Sequence, residues 1–258
     1  MVVISNLNKG AALIPELPGS AQPLVVSYIG VRRAIGVSGL LLPIVLGPIG
    51  WLMGIDIQDN MSSYYHTPLR DVFVGTLCAI GIFLFCYRGN DWIENWTANL
   101  GCVFALGVAL CPLDAQTNPL EPTTISGFLH AFFGGAFFTM LAFYSLVHFP
   151  STKFANQENE PHSPQRNLVY RTSGIVIFLS TITMGAFLFL VPVRWQEIGN
   201  DYNVIFWLEW IALWAFAAAW LTKGRVIFAD IAIDLMAFTQ EQILKRPPFG
   251  KRSESASE

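Results

Sequence analysis

Residues 34–53 read AIGVSGLLLPIVLGPIGWLM, twenty consecutive positions without a charge. A helix rises about 1.5 Å per residue, so twenty residues cover the roughly 30 Å hydrocarbon core of a bilayer. A backbone surrounded by lipid must satisfy its own N–H and C=O groups, which an unbroken helix does. The stretch lacks the period-two alternation of a barrel strand. It predicts a membrane-spanning helix, with Pro43, Gly47 and Pro48 placed to kink it.

Five further blocks follow the same pattern. They are residues 72–87, 98–113, 125–149, 174–193 and 204–222. The first two of these are short and need their polar flanks or local thinning to span. The composition agrees. Of 258 residues, 53% are hydrophobic and 13% charged, against about 25% charged in a soluble domain. Mean hydropathy is +0.48 and the pI is about 5.8. With a net charge of -3 there is no basic footprint for nucleic acid. The fold expected is all-α: a polytopic six-helix transmembrane bundle over residues 28–222. Residues 1–27 form a cytoplasmic N-terminal segment, and residues 223–258 a cytoplasmic tail.

Orientation follows from the basic residues. Lys9, Arg32, Arg33, Arg88, Lys153, Arg166, Arg171 and six residues of the tail fall on one side. Only Arg70 and Arg194 fall on the other. Thirteen of the fifteen Lys and Arg therefore place both termini in the cytoplasm. Loops 54–71, 114–124 and 194–203 are then outside. Residues 1–23 have no cleavable apolar core, so the first span is expected to direct insertion. The four cysteines, Cys78, Cys86, Cys102 and Cys111, read as buried small apolar residues of spans two and three, not as a disulfide frame. In the tail, Ile227, Ile231, Leu235 and Phe238 share one face of an amphipathic helix. That helix extends the last span or lies on the membrane surface. Residues 251–258 read as disordered.

Ionisable groups inside a membrane are costly and mark function. Glu209 is the one charge deep in a span. At 100° per residue, Ala212, Phe216 and Ala219 share its side, while Trp207, Trp210 and Trp214 fall opposite and are expected to face lipid. The alternative role for Glu209 is a single interhelical hydrogen bond. His130 lies at similar depth in span four. Gly127 and Gly134 flank it, leaving either a close helix contact or room for a ligand.

The loop Met61-Ser62-Ser63-Tyr64-Tyr65-His66-Thr67-Pro68-Leu69-Arg70-Asp71 is dense in polar and aromatic groups. Thr67 can cap span two, with Pro68 and Asp71 in its first turn. The same residues would also suit a headgroup site or a hydrolytic site. In the first case Tyr65, Arg70, Asp114, His130 and Glu209 bind a ligand. In the second Ser62, His66 and Asp71 act on an ester or amide. His66, Asp71, Asp114, His130 and Glu209 all fall outside under one topology.

The runs SSYYHTPLRDVFVG, LCAIGIFLFCYRG, NLGCVFALGVALCP and LHAFFGGAFF resemble a family of bacterial multi-pass membrane proteins with a domain of unassigned function. That family is grouped near the Frag/DRAM/Sfk-like proteins. The resemblance covers roughly residues 30 to 222. It implies a six-helix bundle in a bacterial inner membrane, with cytoplasmic termini and a role in handling lipids. It carries no catalytic residues over.

Ser62 and His66 also resemble the Ser-x-x-x-His of the alkaline ceramidases and progestin/adipoQ receptors. Asp71 would stand for their later aspartate. The last span here has no His. The metal set this second resemblance implies is therefore zinc on His66, His130 and a carboxylate. Three roles follow. The favoured one is a non-enzymatic protein that binds or moves a lipid or small polar molecule in an outward-facing pocket, with no cofactor. The second is an intramembrane hydrolase, with zinc if metal-dependent. The third is a structural or assembly protein.

Overall fold

In the computed structural model the described residues are 22–89, 92–115, 124–150 and 163–244. The N-terminal segment 1–21 and the tail 245–258 lie outside them, as does most of the fourth loop. Every element among them is helical. The chain runs α1 (Gln22–Ile44), α2 (Gly50–Leu52), α3 (Arg70–Cys86), α4 (Trp92–Leu110), α5 (Ile125–Phe143), α6 (Ser163–Leu190), α7 (Val193–Asp201), α8 (Val204–Lys223) and α9 (Ile227–Leu244). Five helical stretches are long and apolar enough to cross a membrane: Ile29–Leu52, Trp92–Leu110, Ile125–His148, Pro164–Leu190 and Val204–Lys223. The remaining apolar helix, α3, has 17 residues.

The first span changes its winding where Pro48 stands. A π turn, Val45–Ile49, joins α1 to α2 and contains Pro48. Proline has no N–H to donate to the carbonyl one turn back, and a wider turn accommodates the loss. A second π turn, Tyr144–His148, extends α5.

The helices close into a ring. Packing runs α1, α3, α4, α5, α6, α8 and back to α1. Neighbours alternate in direction, as their end-to-end bonds require. His66 Nε2 donates to Leu113 O, joining the start of α3 to the end of α4. Tyr144 Oη donates to Glu94 O, joining the end of α5 to the start of α4. The seam that closes the ring lies between α1 and α8. Gly36, Gly39 and Gly47 of the first span admit Leu221, Phe216 and Trp210 there. Small residues let two backbones approach in the absence of a hydrophobic driving force between lipid-embedded helices.

The exterior of the bundle is apolar. Leu41, Ile82, Phe85, Phe128, Phe132 and Phe178 are exposed, the reverse of a soluble surface.

Four features differ from the sequence reading. The α6 helix begins at Ser163, eleven residues before the apolar block, because its first turns are polar. Residues 193–201, read as loop, form α7. Thr67 does not cap α3. Its Oγ1 donates to Tyr64 O and accepts from Leu69 N, and the helix starts two residues later. Trp210 does not face lipid. It is 9% exposed and packs on Gly47, while Trp207 and Trp214 are exposed. Of the cysteines, Cys102 is buried and Cys86 exposed, and all four are free.

The end of the bundle that holds Arg32 and Arg33 is tied by side chains that satisfy helix-terminal carbonyls. Arg33 donates to Gly224 O and Arg225 O, and Arg166 donates to Thr222 O and pairs with Asp230. Cations here complement the free carbonyls at the end of α8. Beside them Arg32 donates to Tyr87 Oη at 3.3 Å, and Tyr87 donates to Glu94 Oε1 at 2.6 Å.

Candidate functional site

At the opposite end, the segment between α2 and α3 folds inward. Asn60 caps a 3-10 turn, Met61–His66, through Oδ1, which accepts from Ser63 N and Ser63 Oγ. Short polar side chains favour such local turns over continued helix. Phe206 N–H donates to Asp59 O at 3.0 Å. Met61 N–H donates to Glu209 Oε2 at 2.6 Å. Together these bonds sew the turn onto the first turns of α8. Burial, and secondarily the nearby Asp201, push the Asp59 carboxyl above its ordinary range.

The sign of the Asp59 effect is fixed by that direction. The folded chain holds the proton more tightly than the unfolded one. The resulting stability is present at low pH and lost as pH rises through the raised folded value. Asp59→Asn, which mimics the protonated form, is expected to raise the melting temperature at about pH 7 and to change it little near pH 3. Thermal unfolding in detergent at the two pH values checks this.

Below the inward-folded turn lies a cavity of about 310 Å³, lined by residues of all six ring helices and of the turn. This is at the lower end of the range for small-molecule pockets. Most of the wall is apolar, including Leu42, Phe73, Leu77, Phe137, Met184 and Leu213. Four polar residues stand at the end beneath the turn: Asn60, Ser62, His130 and Glu209. Asn60 is 4% exposed and His130 6%.

Three of these four keep one polar atom without a hydrogen bond among the described residues. His130 is held by backbone on α4, with Nδ1 donating to Cys111 O at 2.7 Å and the backbone of Val108 also bonding its ring. Glu209 uses Oε2 on Met61 and keeps Oε1. Asn60 uses Oδ1 and keeps the donor Nδ2. Ser62 Oγ makes no bond. Glu209 Oε1, Asn60 Nδ2 and Ser62 Oγ thus stand open beside one cavity, beneath the turn, where a polar group can be received.

The structure divides the sequence-derived candidates. Glu209, His130 and Ser62 reach the cavity. Tyr65 and Arg70 are paired with each other on the surface, with Arg70 Nη2 donating to Tyr65 Oη at 2.7 Å. Asp114 accepts from Thr124 N and Thr124 Oγ1, tying the end of α4 to the start of α5. His66 is exposed and held on Leu113 O, and Asp71 is exposed. Ser62, His66 and Asp71 share no hydrogen bond among the described residues.

One nitrogen each of His66 and His130 is engaged by carbonyls at the end of α4. Among the described residues no three His, Cys, Asp or Glu side chains are grouped as ligands.

Two residues escaped the sequence reading. Asn60 lay one position outside the polar run and carried no signal of its own. Glu94, 4% exposed and bonded to Tyr87, lay in a stretch read as loop.

Compared with protein-family models, with curated proteins and with solved structures, the chain matches none. The functional reading therefore rests on the geometry.

Proposed function

We propose that this chain is a six-span integral membrane protein that binds the polar end of a lipid or small molecule in an outward-facing cavity, without catalysing a reaction on it. The observation that carries the reading is the group of four polar side chains, Asn60, Ser62, His130 and Glu209, at one end of a mainly apolar cavity. Concave, mainly apolar sites with a few convergent polar groups are the usual form of a ligand pocket. An acid inside a membrane bundle usually serves binding or proton movement.

Five membrane-length helices support the span count, and α3 completes the ring between α1 and α4. At about 26 Å its 17 residues span a slightly thinned bilayer. Both termini lie in the cytoplasm by the distribution of Lys and Arg. The bundle end tied by Arg33 and Arg166 is then inner, and the cavity end outer. The exposed Ile231, Leu235 and Phe238 of α9 lie against the inner membrane surface. The bacterial inner membrane and the likeness to lipid-handling multi-pass proteins belong to the same proposal.

Native mass spectrometry of protein released from nanodiscs of polar lipid extract tests the binding reading. A retained molecule is expected in the wild type and its loss in Asn60→Ala.

A further inference from the structure

The cavity has a second boundary, along α5 and α6. Ala131, Gly134, Gly135 and Thr139 line it from α5, and Thr181, Gly185 and Phe189 line it from α6. Several of these residues also face outward. Ala131, Gly135 and Thr139 are exposed, and Phe189 is 78% exposed. A residue that lines an interior cavity and also meets the surrounding medium marks an aperture. The glycines show the same gap. A Cβ built on Gly134, Gly135 or Gly185 meets no atom within 4 Å. At the other end of the same helix pair a Cβ on Gly174 would fall 2.5 Å from Leu146 Cγ. The two helices are closed at one end and parted at the cavity, on a flank of the bundle and not at its tip.

The chemistry of the wall restricts what passes. Among the described residues, Glu209 is the sole Asp, Glu, Lys or Arg that lines the cavity. With no cation there, a phosphate or carboxylate head would be buried unpaired, at high cost. Glu209 Oε1 accepts, Ser62 Oγ accepts or donates, and Asn60 Nδ2 is a neutral donor. The one carboxylate among them suits a positively charged group with N–H donors. Beyond it, Leu77, Phe138, Met184 and Leu188 line an apolar path to the aperture.

We infer that the cavity takes a single-chain amphiphile with a protonated amine head, which enters from the bilayer between α5 and α6, the ammonium resting on Glu209 and the chain lying in the gap at Gly135 and Gly185. This rests on the binding reading above and adds the ligand class and the route.

The test uses the full chain in nanodiscs, with tritiated dodecylamine as probe and dodecyl phosphate and dodecanol as comparisons. Empty nanodiscs give the partition background. Saturable binding of dodecylamine, weaker binding of dodecanol and none of dodecyl phosphate are expected. Gly135→Phe with Gly185→Phe, checked for wild-type helicity, should slow association by about tenfold or more, because the route and not the head site is obstructed. Phe189→Ala cannot clash, and it should speed association about two- to threefold by widening the aperture.

Absence of saturable binding for all three probes would overturn the binding reading itself. Dodecylamine binding with unchanged association rates in both aperture variants would overturn the lateral route alone. Preference for dodecyl phosphate or dodecanol would overturn the amine assignment.

Discussion

Glu209→Gln is expected to keep the fold and to weaken ligand binding, whereas Glu209→Ala is expected to weaken both. The two carboxylate oxygens have separate duties. Oε2 accepts the Met61 N–H that holds the inward-folded turn on α8, and Oε1 stands unengaged beside the cavity. A glutamine side chain keeps one carbonyl oxygen for Met61 but no charge. A hydrogen bond to a charged group contributes about 1.5–3 kcal/mol, so affinity for an amine should fall roughly ten- to a hundredfold in Glu209→Gln. Alanine leaves the Met61 N–H without a partner in a part-buried place. That costs about 1–3 kcal/mol of stability and loosens the turn over the cavity. Paired measurements of melting temperature and dodecylamine affinity on both variants separate the effects. If the glutamine variant bound as tightly as wild type, Glu209 would be no more than a tether for the loop.

The second large effect is expected at the seam that closes the ring. A Cβ on Gly39 would fall 2.8 Å from Phe216 Cδ1. Phe216 is itself fully buried and packs against Trp220 at an interplanar angle of 59°, so its ring has nowhere to go. Gly39→Leu should therefore part α1 from α8, at about 1–3 kcal/mol or more, since overpacking in a close-packed interior forces backbone shifts. Gly75→Ala on α3 is the internal comparison. A Cβ there meets nothing within 4 Å. The change should be neutral, or stabilising by up to about 1 kcal/mol through helix propensity. Unfolding in a mixed detergent and denaturant series reads both. Equal stability of the two variants would mean the α1–α8 seam is not closely packed in the membrane.

Much of this architecture is legible in the sequence because the bilayer imposes length and composition together. Uncharged runs such as residues 34–53 admit few other readings, and Pro43 and Pro48 announced the irregular turn that follows α1. Glu209 and His130 were legible for the same reason: a polar group in an apolar run stands out. Trp210 shows the limit of periodicity. Its angular position on α8 is correct, but an angle does not say whether lipid or another helix faces it, and Gly47 lies there. Asn60 was hidden because polar residues in loops are common. Its importance comes from the fold of the turn that carries it inward. The density of Tyr65, His66, Arg70 and Asp71 was visible, yet Tyr65 and Arg70 hold each other and His66 holds a helix end. Ser62 was expected to act with His66, and the turn instead directs it to the cavity while His66 faces out. The first turns of α6 and the helix α7 carry polar faces, so they lacked the signature of a span and did not stand out from loop.

The central claim is that the cavity beneath residues 60–62 is occupied by the head of a bilayer-derived molecule. Its most direct measurement is the native mass spectrum of wild-type protein released from nanodiscs, set beside Asn60→Ala and Glu209→Gln of equal helicity. The account predicts one retained molecule per chain in the wild type, with a mass and fragmentation that identify an amphiphile bearing an amine. It predicts that both variants lose this molecule. A wild-type spectrum at the bare chain mass, or a retained molecule unaffected by either substitution, would contradict it.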